Sequence, residues 1–170
     1  MLTSQCPAWA KGIVFDVDTR PHRRRRSGSR ARSAREGRDT AGSMSEQNVE
    51  LVRTLFQQYN RGDYAAAAAC LAPGVVYEVG QEVPAYGPDE VRAMWERWDG
   101  AWDDMDTVPE EFLDAGDHVV VTVHYSARGQ GSGIEYDERL FDVYTVRDGK
   151  CVRKLEFRER SEALAAAGRG

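Results

Sequence analysis

The sequence predicts an α+β domain in which a curved mixed sheet wraps around about three helices and encloses a pocket. Three observations predict it. An amphipathic helical stretch comes first, with Val52, Leu55, Phe56 and Tyr59 at i, i+3, i+4 and i+7. A short strand and a second long helical stretch follow. From Thr107 onward the chain alternates with period two, punctuated by turns that contain glycine.

The first helix is expected from Ser45 to Asn60, with Ser43 or Ser45 as its cap. Asn60-Arg61-Gly62 ends it, because glycine takes the left-handed position past a helix terminus at no steric cost. Asp63 caps a short alanine-rich helix from Tyr64 to Leu71, and Pro73-Gly74 stops it. Val75 to Val79 reads as a short strand. A loop with Gly80, Pro84, Gly87 and Pro88 leads into the next helix, whose first turn carries Pro88, Asp89 and Glu90 where the helix dipole favours acids. Val91, Met94, Trp95, Trp98 and Trp102 line one stripe of it. Strands are then expected over Thr107–Leu113, His118–Arg128, Ile134–Val146 and Cys151–Arg158, with a terminal helix from Ser161 to Ala167. Arg147-Asp148-Gly149-Lys150 is a tight hairpin turn. Gly129-Gln130-Gly131-Ser132-Gly133 is a hairpin loop, not a phosphate loop, since no helix follows it.

Residues 1–43 differ in kind from the rest. They hold ten Lys/Arg, including Arg23 to Arg26, against four Asp/Glu; the remainder holds thirteen against twenty-four. With no apolar period, this segment lacks the burial to offset its ordering entropy and is expected to be a disordered basic tail, with the domain spanning 44–170. An upstream extension of the reading frame, with Met44 the natural start, is the bland account. A basic arm for nucleic acid or a transit-like peptide is the functional one. The acidic domain itself argues against nucleic acid and anionic lipid. Cys6, Cys70 and Cys151 are widely spaced and suggest a reducing compartment, and no apolar run is long enough to span a membrane. A cytoplasmic location is expected.

Five motifs in order carry a family resemblance. They are the amphipathic helix, Tyr59-Asn60-Arg61-Gly62-Asp63 after it, Tyr86-Gly87-Pro88, Asp114-Ala115-Gly116-Asp117 and Val146-Arg147-Asp148-Gly149-Lys150. Together they resemble the nuclear transport factor 2-like superfamily, and within it the SnoaL-like branch named for a polyketide cyclase. The resemblance implies a cone-shaped sheet with a pocket at its wide end, no cofactor, and one or two acids in an apolar cavity. It also implies dimerisation through the sheet. The small partner implied is a hydrophobic or polyketide-like molecule. The activity implied is an isomerase, cyclase or hydrolase type of acid–base chemistry, with a non-catalytic binding or dimerisation module as the alternative.

Asp142 falls where ketosteroid isomerase, a relative, keeps an oxyanion-hole aspartate. The base position of that enzyme falls at Val79, beside Glu78, and its tyrosine position at Leu55, one turn before Tyr59. Steroid isomerisation is therefore not expected. Hairpin spacing sets Thr122 near Asp142 and brings His124 within reach of it, a candidate base and its orienter. A solvated polar face with a chance pair is the competing account. Asp142 and His124 are the candidate catalytic residues; Tyr59, Tyr77, Trp98, Thr122, Tyr144 and Glu156 are the candidate pocket lining. If Lys154, Glu156 and Arg158 point inward, Asp142 becomes a salt-bridge member. Val119, Val121, Val123 and Tyr125, with Phe141 and Val143, form an apolar face expected to be the interface of a homodimer. No metal site is expected: His22, His118 and His124 form no cluster, and Asp99, Asp103, Asp104 and Asp106 lack the glycine and glutamate of a calcium loop.

Overall fold

The computed structural model describes residues 32–170; residues 1–31 of the basic segment, Cys6 and His22 among them, lie outside the described residues. The elements run α1 (Arg32–Asn60), α2 (Tyr64–Ala68), β1 (Leu71–Tyr77), β2 (Ala85–Tyr86), α3 (Gly87–Asp99), β3 (Trp102–Ala115), β4 (His118–Gly129), β5 (Glu135–Arg147), β6 (Lys150–Phe157) and α4 (Arg160–Ala166). The expected α+β class holds. One curved, unclosed six-stranded sheet has the order β2-β1-β6-β5-β4-β3. β1 and β6 run parallel and every other neighbour pair is antiparallel.

Three helices differ from expectation, α2 only in ending at Ala68 and not at Leu71. α1 starts at Arg32, not near Ser45, because Ala34, Arg35, Glu36 and Arg38 are good helix formers and extending an existing helix is cheap. α3 stops at Asp99, with the N–H of Gly100 closing on the Glu96 carbonyl and that of Ala101 on the Trp98 carbonyl, so Trp102 belongs to β3 and not to the helix stripe. β1 begins at Leu71 and runs through Pro73-Gly74. It does so with a register shift against β6 between Leu71 and Val76, as a residue without an N–H requires. The expected turn between β5 and β6 is formed by Asp148 and Gly149, both in the left-handed region at φ 50° and 67°.

The concave face of the sheet carries the main core. Val52, Leu55, Phe56 and Tyr59 of α1 are all buried, as are Val91, Met94, Trp95 and Trp98 of α3, and they pack with Val119, Val121, Val123 and Tyr125 of β4. A smaller cluster lies on the opposite face, where Ala163 and Ala167 at α4 cover Val120 and Val143. This corrects the expected interface. Val119, Val121 and Val123 are each 0 % exposed and face inward, and only Phe141 and Val143 of that set lie outside. Alternation divides a strand into two faces but does not say which is concave; the more apolar face is the one that pays least to be buried against helices.

A buried ionic cluster on an aromatic cavity wall

Between α1, α3 and the concave face lies a cavity of about 520 Å³, counting the space at its open mouth. Its wall is largely aromatic. Phe56 and Tyr59 enter from α1, Trp95 and Trp98 from α3, Tyr77 from β1, Tyr125 from β4, and Tyr136 and Tyr144 from β5. Leu55, Val79, Met105 and Leu140 fill the gaps between them. The rings hold one another edge-on: Tyr59 and Tyr77 meet Trp95 at 5.0 and 5.7 Å between centroids, and Phe56 meets Tyr144 at 5.8 Å. The Trp98 indole N–H donates to Glu82 at 3.3 Å.

One wall is polar. Lys154 and Glu156 alternate on β6 so that both point inward, and Asp142 stands opposite Glu156 in the β5–β6 register. The Lys154 ammonium lies 2.9 Å from Asp142 Oδ1 and 3.0 Å from Glu156 Oε2. It also sits 5.4 Å from the centre of the Tyr77 ring. The hydroxyls of Tyr125 and Tyr144 donate to Asp142 Oδ2 at 3.0 and 3.3 Å. Asp142 and Lys154 are each 1 % exposed. Arg158, one residue past the end of β6, reaches instead to Glu138 at 3.1 Å and is largely solvated.

The cluster sets its own protonation. Burial pushes the Asp142 carboxyl up, to about 6; Lys154 opposes the rise and Glu156 adds to it. Burial would lower the Lys154 ammonium, but the Asp142 and Glu156 carboxylates outweigh it and hold the group above the ordinary lysine value. Burial and then Asp142 hold Tyr125 protonated well beyond the usual phenol range. Above pH 6 Asp142 is therefore an anion paired with the Lys154 cation, with two phenol donors on its other oxygen.

Of the residues expected at the site, Tyr59, Tyr77, Trp98, Tyr144 and Glu156 lie along the cavity. Asp142 sits just behind the wall, reached through Tyr125 and Tyr144. His124 and Thr122 do not join them. Asp142 pairs with Val121 in the β4–β5 register, and Thr122 pairs with Phe141, one residue off the spacing expected. That single step puts Thr122 and His124 on the convex face. There Thr122 donates to Glu111 at 3.4 Å, and His124 meets the exposed Asp137 carboxylate at 3.1 Å. Tyr125, Lys154, Trp95 and Tyr136 complete the site without having been singled out as lining. Tyr125 shares the parity of Val119, Val121 and Val123, so a correct choice of concave face finds it. Glu78, beside the expected base position, turns away to Arg153 at 2.8 Å. Among the described residues no group of His, Cys, Asp or Glu could hold a metal ion.

Residues 52–154, more than half the chain, match the family model of the SnoaL-like domain. The chain belongs to the SnoaL-like family. No curated protein matches it. Solved structures similar to this SnoaL-like domain include an NTF2-like protein from Burkholderia thailandensis E264. That protein is 24 % identical, with a TM-score of 0.62 over 72 % of this chain and 97 % of the other. A protein from Jannaschia sp. CCS1 described as a SnoaL-like polyketide cyclase is 21 % identical, with a TM-score of 0.60 over 74 % and 93 %. A protein of ketosteroid isomerase-like fold from Catenulispora acidiphila DSM 44928, in complex with trimethylamine, is 17 % identical, with a TM-score of 0.59 over 70 % and 92 %. At these identities the likeness is one of fold.

Proposed function

We propose that the domain binds a small, mainly apolar molecule in the aromatic cavity and acts on it by cofactor-independent acid–base chemistry of isomerase, cyclase or hydrolase type. The observation that carries this reading is the Asp142–Lys154–Glu156 row on the wall of an otherwise apolar cavity. Buried charges are costly, and a row of three of which Lys154 and Glu156 line the cavity is retained most readily for a ligand. Asp142 fixes Tyr125 and Tyr144, and these phenols meet the ligand. Relatives described as a polyketide cyclase and as a trimethylamine complex support a small-molecule site.

One observation favours the alternative of a non-catalytic binding module: Asp142 already has three partners and almost no exposure. A cavity-filling variant tests the shared part of both readings. Val79→Trp is expected to keep the fold and abolish binding of 1-naphthol, followed by tryptophan quenching. Unchanged binding in that variant contradicts the cavity as the site.

A homodimer remains part of the proposal, now through the convex face, where Phe141, Leu155 and Phe157 are half-buried beside α4. Cytoplasmic residence is proposed too, in keeping with the free, buried thiols of Cys70 and Cys151.

A further inference from the structure

Neither of the two residues that follow β1 supplies the cavity with an acid. Glu78 is turned outward to Arg153, and Val79 lines the cavity as hydrocarbon. Glu156 reaches the same space from β6: its Oε1 lies 3.6 Å from where a Cβ on Gly80 would project. From this geometry we propose that Glu156 is the general base of the cavity, the group that takes a proton from a bound molecule. The assignment rests on the reading of the cavity as a small-molecule site.

Asp142, Lys154 and the two phenols beside them are already committed. Both Asp142 oxygens are engaged, by Lys154 on one side and two phenols on the other, and the side chain is sealed. Lys154 is an ammonium held between two carboxylates and has no lone pair to receive a proton. Tyr125 and Tyr144 spend their protons on Asp142. Glu156 differs. Lys154 grips its Oε2 at 3.0 Å and fixes the carboxylate plane, while Oε1 has no hydrogen bond among the described residues. At 12 % side-chain exposure it is accessible from the cavity yet largely shielded from water. A carboxylate oriented by one oxygen and open at the other has the geometry a general base needs.

5-Nitrobenzisoxazole tests this directly. Its ring opening needs only a base. The carboxylate takes the proton from C3, the C–H electron pair becomes the new π bond of a nitrile, and the N–O bond breaks to leave a phenolate. No oxidant, metal or cofactor enters. The full chain is expected to open the probe faster than acetate at equal carboxylate concentration, and Glu156→Gln to lower the rate about 100-fold. Glu156→Asp, which withdraws the carboxylate by one methylene, should keep part of the rate. Thermal melting checks that each variant is folded, and quenching of Trp95 and Trp98 reports binding separately. If the parent binds the probe but opens it no faster than acetate, the assignment falls and the cavity reading stands. The same holds if Glu156→Gln matches the parent, or if Glu156→Asp matches it where the Gln variant does not fold. Absence of quenching overturns the cavity reading and the assignment together.

Discussion

Asp142 and Glu156 face each other across neighbouring strands, an arrangement that costs stability unless a cation joins them. Lys154 is that cation, and the three side chains stand or fall together. Lys154→Met is expected to cost about 3 kcal/mol in urea unfolding at pH 8, because it leaves Asp142 buried without its counter-ion. Asp142→Asn combined with Lys154→Met should recover much of that loss, since no bare charge then remains at Asp142. A loss below about 1 kcal/mol for the single variant would mean the ion pair is not as buried as described. The pH dependence has a definite sign. Asp142 in the folded chain titrates near 6, above the ordinary range near 4. Its stabilising contribution is thus complete below about pH 4 and is lost as pH rises through about 6. The stability of the parent relative to Asp142→Asn should therefore fall between pH 4 and pH 7; a rise over that interval contradicts the shift. Asp142→Asn should also weaken 1-naphthol binding by about 2 kcal/mol if its phenol partners meet the ligand.

At the scale of elements, the strands and helices were largely legible and the faces were not. The 3.6-residue spacing of Val52, Leu55, Phe56 and Tyr59 identifies the buried stripe of α1, and Gly62 at φ 73° ends it as its position implies. The parity of β4 was equally plain, but which parity is concave depends on where α1 and α3 dock, a tertiary fact. The one-residue offset that pairs Asp142 with Val121 and not Thr122 likewise comes from the long β4–β5 hairpin, whose glycine-rich loop does not advertise its register. Lys154 and Glu156 followed from alternation only once β6 was anchored by its parallel pairing with β1. Val121→Glu discriminates between the two faces. Val121 is 0 % exposed and stands beside Asp142, so the variant buries a further carboxylate. It is expected to lose the cooperative melting transition in circular dichroism. A folded but monomeric variant would restore the interface role for that face.

At the scale of the whole molecule, α1 begins at Arg32 while its apolar packing among the described residues begins at Val49. Removing residues 1–43 is therefore expected to shift the melting temperature by no more than about 2 °C. A drop of ten degrees or so would mean that the segment docks on the domain. Light scattering at tens of micromolar should report twice the chain mass if the convex face pairs two copies; the monomer mass contradicts it. The sheet and its helices enclose the cavity that we propose as a small-molecule site, with the ionic row along its aromatic wall. A crystal structure of the full chain soaked with 1-naphthol tests that claim most directly. The ring is expected between Trp98 and Tyr125, with its hydroxyl within hydrogen-bond distance of Glu156. An empty cavity, with naphthol bound only on the outer surface or not at all, would contradict it.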